Sequence, residues 1–415
     1  MRFSTLLATT ALSAAFLTTG AYAETVKLYT WREQEVPLWN YISENDILGP
    51  DIDVEAVLVQ SDNYDTKLRT DIQSNAPDLF QARAGAAWLA SFIDAGIIKP
   101  TSVDLSSIAP AALDSARGAD GELYGVPFAI QMQSVIYNEA VFEANDIAVP
   151  TTMEEFEAAA AKLKEAGVTP IVFGGRSGWW LNQVVGEVMT AGLVSDEFAG
   201  KLISGEACFT DPQFVATLET VKNWQDAGYL NASAMADDYG AMRTSLALGE
   251  AAMMIDGAWS TGPTSPMYEI DPELEMGFFA LPGDNGKVYA FGDGTYQVNA
   301  NSAKAEIAQQ VLDFTATQEF AELFVEQVGE LPAYGGDYSV EDPQLAEVAE
   351  LIATNSSSQT PFFAYALNSG EPSYGTLVAD GYQSLLSGSI SPTDLAQKIQ
   401  DGLNSWNYVG AENCQ

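Results

Sequence analysis

Short strands separated by single helices dominate the chain beyond position 23, and this order limits the fold more than any other feature. The hydrophobic pattern predicts strands at 26–30, 53–59 and 78–81, and helices from about 36, over 64–74 and over 86–95. Strands that alternate with single helices usually form a mainly parallel sheet. The pattern therefore predicts an α/β lobe with a largely parallel sheet.

The second half of the chain begins in the same way. Thr152 and Glu155 have the spacing of a capping box at the start of a helix that Gly167 closes, and a strand is predicted at 168–173. Further helices are predicted over 211–228, where Trp224 falls on the buried face, and over 303–328. A chain of 415 residues exceeds what one hydrophobic core usually serves, so two lobes are expected.

The N-terminus has the pattern of a secretory signal peptide. One basic residue, Arg2, precedes an apolar run that ends in the small-residue site Ala21-Tyr22-Ala23, and we expect residues 1–23 to be cleaved. No cysteine lies near that site, which disfavours a lipid anchor. No later segment has the unbroken apolar length of a transmembrane helix. The expected product is an exported, soluble, periplasmic protein.

The charge balance is strongly acidic, because 17 Lys and Arg residues oppose 57 Asp and Glu residues for a net charge of −40. A field of this sign repels phosphate backbones and anionic membrane surfaces, so nucleic-acid partners are not expected. Two interpretations of the acidity stay open. It is a solvated shell suited to a salty habitat, or it attracts a cationic ligand.

Few catalytic chemistries fit this composition. The chain has no histidine, which removes Ser-His-Asp and Cys-His triads, and no phosphate-binding glycine loop follows a predicted strand. No metal or cofactor is expected. Paired carboxylates could serve a glycosidase, but no local pattern singles out a pair. Cys208 and Cys414 either form a disulfide that ties the C-terminal tail to the second lobe or stay independent thiols.

The segment 120–142, DGELYGVPFAIQMQSVIYNEAVF, carries the most specific signal in the chain. It predicts a turn and then a strand in which Gln131 and Gln133 pass through apolar surroundings, where unpaired amides are costly, so both amides are expected to face a cleft. LYGVPF followed by VIYN resembles the first interlobe crossover of maltose-binding-type proteins, the extracellular solute-binding protein family 1.

The resemblance extends over nearly all of the chain beyond the signal peptide. It implies an α/β, two-lobe periplasmic-binding-protein fold of type II, maltose-binding-like, with three interlobe crossovers near Gln131, 294–298 and 331–336. The N-terminal lobe would comprise 24–131 and 297–333, and the C-terminal lobe 132–296 and 334–415. Glycines near the last two crossovers fit hinges that absorb changes in backbone dihedral angles.

Candidate ligand-binding residues lie after predicted strands or at crossovers, where open α/β sheets bind ligands. Aromatic rings suit the C–H faces of sugars, and amide, carboxylate and guanidinium groups suit their hydroxyls. Structural roles for Trp31, Trp259 and the 62–64 cluster are the alternatives. In GEAAMMIDGAWS, Trp259 resembles the family's sugar-stacking tryptophan, and Tyr374 in EPSYGTL lies near the position of another aromatic platform in the maltose type. The complete set is Trp31, Glu33, Asn63, Tyr64, Gln81, Arg83, Gln131, Trp179, Trp180, Asn182, Asp256, Trp259, Asp293, Gly294 and Tyr374.

These features predict a periplasmic binding protein rather than an enzyme. It would capture a sugar or oligosaccharide, possibly a glucoside, between its lobes and deliver it to the permease subunits of an ABC importer in the inner membrane, and it would act as a monomer. The alternatives are a binding protein for a polyol or a cationic osmolyte, which an aromatic box would hold, and a secreted carboxylate-dependent glycosidase.

Overall fold

The computed structural model describes residues 23–336, 338–357 and 366–414. The predicted signal peptide, 1–23, lies outside the described residues except for its last position. Within these ranges, no helix has both the length and the apolar character needed to cross a membrane.

Two β-sheets organise the described residues. The strands are β1 (Glu24–Thr30), β2 (Ile52–Leu58), β3 (Leu79–Arg83), β4 (Val126–Pro127), β5 (Ala129–Asn138), β6 (Thr169–Val172), β7 (Ala251–Gly257), β8 (Met276–Phe279), β9 (Tyr289–Gly292), β10 (Gly294–Val298) and β11 (Leu331–Pro332). The first sheet has the order β2-β1-β3-β10-β4. The second has the order β11-β5-β7-β6, and β8 and β9 also pair with β5. A mixed α/β fold with two sheets is thus confirmed.

Helices connect these strands. The α-helices are α1 (Val36–Glu44), α2 (Ser61–Asp71), α3 (Ala86–Asp94), α4 (Pro110–Leu113), α5 (Glu139–Ala144), α6 (Met153–Glu165), α7 (Gly178–Trp180), α8 (Gly186–Leu193), α9 (Asp196–Ser204), α10 (Pro212–Asp226), α11 (Tyr239–Ala247), α12 (Met267–Ile270), α13 (Ala305–Phe314), α14 (Gln318–Val328), α15 (Pro343–Asn355), α16 (Tyr374–Leu386) and α17 (Pro392–Asn404). A π-helical turn, Leu181–Val185, joins α7 to α8.

In the first sheet, the strands that helices separate along the chain, β1, β2 and β3, are parallel as predicted. β1 pairs in parallel with β2 and β3, whereas β10 runs antiparallel to β3 and β4. Its core includes Trp39 of α1, whose ring lies 5.6 Å from those of Tyr296 of β10 and Phe320 of α14. Burial of such large aromatic side chains gives this sheet a hydrophobic core of its own.

The second sheet differs from the predicted largely parallel arrangement. The long strand β5 pairs antiparallel with β7, β8, β9 and β11, and only the β6–β7 pair among the described strands of this sheet is parallel. The reason is the path of the chain, because it enters this sheet through β5 and leaves it along β9 in the opposite direction. Trp224 is buried in the core of this sheet.

Among the described strands, the chain passes from one sheet to the other at three places. β4 of the first sheet and β5 of the second are separated by Phe128, and β9 and β10 are separated by Asp293. After α13 and α14, which contribute to the core of the first sheet, the chain enters the second sheet again at Leu331. Single residues or short segments therefore carry the passages between the two sheets.

Two helix predictions have different outcomes. The capping box at the start of α6 is confirmed, because the Thr152 hydroxyl accepts from the Glu155 amide while the Glu155 carboxylate accepts from the Thr152 amide. The single helix predicted over 303–328 is wrong. It divides into α13 and α14, because Thr317 adopts an extended conformation and its hydroxyl caps the second helix by accepting from the Phe320 amide.

A disulfide joins Cys208 to Cys414, with 5.5 Å between the Cα atoms. This pairing is the first of the two alternatives that the sequence leaves open. Asn413 strengthens the attachment by donating to the Gly205 carbonyl oxygen at 2.8 Å. The tail that follows α17 is therefore fixed to the segment between α9 and α10.

Candidate functional site

A cleft of about 690 Å³ lies between residues that follow the strands of the first sheet and residues from the loops and helices of the second. The first-sheet side consists of residues 31–34, 60–61, 69, 83–85 and 87–88, several of which follow the carboxyl ends of β1 and β3. Open α/β sheets bind ligands at such ends. The opposite side consists mainly of residues 177, 179, 182–184, 238–240, 243, 259, 264–266, 368, 373, 375 and 376.

The first-sheet wall presents Trp31, held by its neighbours. Its ring contacts Tyr64 edge-on, with 5.0 Å between the centroids, and the Arg83 guanidinium lies 4.7 Å from its centroid. Arg83 is fixed in turn, because its Nε donates to Asp65 at 3.1 Å and its Nη2 donates to the Ser61 carbonyl oxygen at 3.1 Å. An indole plane and a guanidinium are therefore positioned before a ligand arrives, which lowers the entropic cost of binding.

The opposite wall presents Trp179, Tyr239 and Trp259. Tyr239 contacts Trp179 edge-on at 4.9 Å between centroids, and the Trp259 Nε1 donates to the Tyr239 hydroxyl at 2.8 Å. The Tyr239 hydroxyl donates to Asp256 at 2.9 Å. Gly257 is required here, because a Cβ at that position would overlap the Trp259 ring. In the sequence DGAW, the glycine lets the Trp259 ring pack against the backbone of Gly257 and line the cleft.

Asp256 lies buried behind this wall, and burial raises its pKa to about 6 despite hydrogen bonds from Ser260 and Tyr239. Its Oδ1 has no hydrogen-bond partner among the described residues. A rise from 3.8 to about 6 corresponds to an unfavourable free energy of about 3 kcal/mol at neutral pH. The cost is absent below pH 3.8 and grows as the pH rises to about 6.

We expect Asp256→Asn to stabilise the protein by about 1 to 3 kcal/mol at pH 7 and by almost nothing at pH 4, because the amide carries no charge to desolvate. Urea denaturation of both proteins at the two pH values measures the difference. An amide variant that is less stable than the parent by the same amount at both pH values would contradict this account.

A second buried cluster lies where the sheets meet. Arg32 is 2% exposed and pairs with Glu35, Asp293 and Glu330. Gln131 also donates to Glu330, so residues from all three sheet changes converge on this cluster. Burial raises the pKa of Glu35 and of Asp293, although Arg32 opposes the rise. For Arg32, burial would lower the pKa, but the three carboxylates outweigh it and hold the guanidinium charged.

The structure brings some of the predicted ligand-binding residues together and places others elsewhere. The cleft lining contains Trp31, Glu33, Arg83, Trp179, Asn182, Trp259 and Asp293. The lining does not contain Asn63, Tyr64, Gln81, Gln131, Trp180, Asp256, Gly294 or Tyr374.

The residues outside the lining have other environments. Asn63 is exposed on α2, and Gly294 begins β10. Tyr374, like Trp180, belongs to the core of the second sheet. The Tyr64 hydroxyl donates to the Gln81 carbonyl oxygen at 2.7 Å, and the Gln81 amide donates to Glu35 at 2.8 Å. These buried groups support the cleft from behind. Gln133, in contrast, does line the cleft, and its amide donates to the Gln183 carbonyl oxygen at 2.6 Å.

Several cleft residues escape prediction from sequence. Arg69, Trp88 and Arg243 project from helices, and Tyr239 begins one. Helical periodicity marks such positions as surface or core and does not indicate a cleft. The chain has only seven arginines. Because the residue is so scarce here, each arginine is a candidate for a specific role, and this reasoning could have identified Arg69 and Arg243.

Comparison with known proteins finds similarity to extracellular solute-binding proteins. The family model described as bacterial extracellular solute-binding protein matches residues 37–322. An uncharacterized ABC transporter extracellular-binding protein of Pyrococcus horikoshii is 28% identical over 263 residues, or 62% of this chain and 58% of the relative. The multiple sugar-binding protein of Streptococcus mutans is 22% identical over 255 residues, or 56% of this chain and 57% of the relative.

Both alignments thus span less than two thirds of the relatives' lengths. A solved structure from work on xylan utilization by the thermophilic bacterium Caldanaerobius polysaccharolyticus superposes with a TM-score of 0.78. It covers 91% of this chain and 99% of the other at 22% identity. A likeness at that identity shows the fold alone, and the fold is that of two-lobe sugar-binding proteins of type II.

Proposed function

This chain belongs to the family of bacterial extracellular solute-binding proteins, and on that premise we propose that it captures a sugar or an oligosaccharide in its cleft for import. The binding of multiple sugars by the Streptococcus mutans relative supports a saccharide ligand. The permease subunits of an ABC importer would be its membrane partners. The protein would bind its ligand without chemical change, as the binding proteins of this family do.

The observation that carries the proposal is the presence of aromatic planes on both sides of one cleft. Trp31 and Trp88 line it from the first sheet, and Trp179, Tyr239 and Trp259 line it from the other side. Sugars combine apolar C–H faces with a rim of hydroxyls, so they suit stacked rings with polar groups between them. Asn182 is among the polar groups that could bind those hydroxyls.

The proposed mechanism is closure of the two lobes on the ligand. A ligand that contacts both walls only in the closed form binds that form more tightly and shifts the open–closed equilibrium toward it. A difference in binding free energy of about 5.5 kcal/mol moves the closed-to-open ratio from 1:99 to 99:1. We assign the described residues to lobes by sheet membership, as 24–127 with 294–330 and 129–292 with 331–336, 338–357 and 366–414, which moves the sequence-based limits by a few residues. The Arg32 cluster would act at the hinge.

The cellular setting follows the same proposal. Residues 1–23 would direct export and be removed, and the remaining chain would work in the periplasm as a monomer. Of the alternative ligands, a cationic osmolyte is disfavoured by the arginines in the cleft lining. A polyol ligand and a sugar ligand can be distinguished by measuring the binding of both classes of compound.

A thermal-shift screen of residues 24–415 against neutral sugars, oligosaccharides, polyols, acidic sugars and betaine tests the proposal. A ligand at one hundred times its Kd stabilises the folded protein by about 2.7 kcal/mol, which raises Tm measurably. Stabilisation by one or more saccharides is the expected result. A response to betaine or polyols alone, or release of products from a glycoside panel, would overturn it.

We expect Trp259→Ala to weaken saccharide binding by about 1 to 3 kcal/mol, because the ligand loses a stacking surface. Isothermal titration calorimetry with the best saccharide from the screen measures the change. Trp406→Ala is the matched control, since Trp406 lies outside the cleft lining and donates to the Pro372 carbonyl oxygen. Equal affinities for the two variants would remove Trp259 from the site.

A further inference from the structure

Arginine is concentrated in the cleft to a degree that composition does not explain. Of seven arginines in a chain with a net charge of −40, the lining contains Arg32, Arg69, Arg83 and Arg243. None of the ten lysines is in this lining. A planar guanidinium binds carboxylates and related oxyanions through two parallel hydrogen bonds, which an ammonium group does not match.

The acidic side chains of the lining already have partners. Asp293 pairs with Arg32, and Asp238 pairs with Arg176 while capping α11 through the Ala241 amide. Glu33 pairs with Arg243 across the cleft. The carboxylates of the cleft are therefore committed to protein cations.

The arginines of the lining are less fully committed. Arg32 is saturated by three carboxylates, but Arg69 has no ion pair among the described residues and donates to the Ser91 hydroxyl. Arg83 pairs with Asp65 through Nε and donates to Ser61 through Nη2, and its Nη1 is the nitrogen left for a ligand. The guanidinium N–H groups of these arginines thus outnumber the acceptors that the described residues supply to them.

Arg243 is the arginine of the lining with a buried nitrogen that lacks a hydrogen-bond partner among the described residues. Both of its terminal nitrogens share one oxygen of Glu33, at 3.3 and 3.4 Å, and its buried Nε has no hydrogen-bond partner among the described residues. Its guanidinium lies 4.4 Å from the centroid of Tyr239, so it is held against an aromatic wall of the cleft. A side chain this constrained, with long bonds to one oxygen, is a receptor for an oxyanion with two oxygens.

Glu33 occupies the position that such an oxyanion would take. Its side chain is 42% exposed, so it can leave Arg243 for water at little cost. Arg83 lies over the ring of Trp31, two residues before Glu33, so a second guanidinium of the lining contacts the segment that carries Glu33.

We infer that the saccharide ligand carries an anionic group, a carboxylate or a sulfate ester, which binds Arg243 in place of Glu33. The inference rests on the proposed function and narrows it to acidic sugars. The anionic group would displace the Glu33 carboxylate from Arg243, and Arg83 would lie beside the same ligand. The remaining sugar ring would stack on the aromatic walls.

Calorimetry with matched pairs of probes tests this inference on the protein of residues 24–415. The pairs are glucose with glucuronate and with glucose 6-sulfate, galactose with galacturonate, and neutral disaccharides with the corresponding disaccharides that contain one uronic acid. We expect at least one acidic member to bind ten-fold or more tightly than its neutral partner. The uronate and sulfate arms distinguish the two oxyanions.

Two results would overturn the inference, and they differ in what they say of the proposed function. If the neutral member of every responding pair binds as tightly as the acidic one, the inference fails and the sugar-binding function stands. If no saccharide binds and betaine or a polyol does, both fail.

Variants at the ion pair provide an independent test. Arg243→Gln should reduce the ratio of acidic to neutral affinity ten-fold or more, and Glu33→Gln should raise affinity for the acidic probe several-fold by removing its competitor. Arg117→Gln is the control, because Arg117 also pairs with a carboxylate, that of Asp114, and both residues lie outside the cleft lining. The ratio of affinities does not depend on global stability. An unchanged ratio in Arg243→Gln would overturn the assignment.

Discussion

Replacement of Arg32 by methionine should lower the free energy of unfolding by about 3 to 5 kcal/mol, because removing one partner of a buried ion pair leaves uncompensated charge. Glu35 and Glu330 are almost fully buried, and Asp293 is largely so. In the described structure, Arg32 is the cation with which each of them pairs. Guanidinium chloride denaturation at pH 7 measures the loss.

Arg117→Met is the matched control for this variant. Arg117 pairs with Asp114 on the surface, where both side chains are exposed, and such pairs contribute about 0 to 1 kcal/mol. The deficit of Arg32→Met should shrink at pH 5, since burial raises the pKa of Glu35 and of Asp293 and both protonate more readily without the guanidinium. Equal losses for the two variants at pH 7 would show that the cluster does not hold the sheets together.

Loss of the disulfide should have an effect of similar size. Cys208 and Cys414 are 206 residues apart, and the chain-entropy model gives a limit of about 5 kcal/mol for a loop of that length. We expect the double substitution Cys208→Ser with Cys414→Ser to lower the free energy of unfolding by about 2 to 5 kcal/mol.

Differential scanning calorimetry of this double variant, with the parent protein under reducing conditions as a second comparison, measures the effect. Both cysteines lie outside the cleft lining, so the affinity for saccharide should stay within about two-fold. A Tm unchanged by both the substitution and reduction would refute the contribution of the disulfide.

Local sequence signals predicted much of the fold. The alternation of strands and helices identified the first sheet, and the Thr152 and Glu155 spacing identified the start of α6. The sequence did not predict the antiparallel pairing around β5, because the direction of a strand depends on which sheet the chain has just left. It also did not predict the break at Thr317, where one hydroxyl cap outweighs a continuous helical pattern.

The site was less predictable, for reasons that Trp179 and Trp180 illustrate. Neighbouring residues in a helical turn point about 100° apart, so one ring lines the cleft while the other is buried and donates to the Ile255 carbonyl oxygen. The sequence shows that two tryptophans are adjacent, but it does not show which of them lines the cleft. The Arg32 cluster was hidden for another reason, since Asp293 and Glu330 are 261 and 298 residues away along the chain.

The Glu33–Arg243 ion pair joins the two walls of the cleft through protein atoms alone. A pair this exposed contributes at most about 1 kcal/mol, so it increases the population of closed, ligand-free molecules by about five-fold at most. Such molecules would present to the permease the same outer surfaces as loaded ones. Under the proposed import function, this one ion pair would therefore favour cycles of ATP hydrolysis that move no cargo.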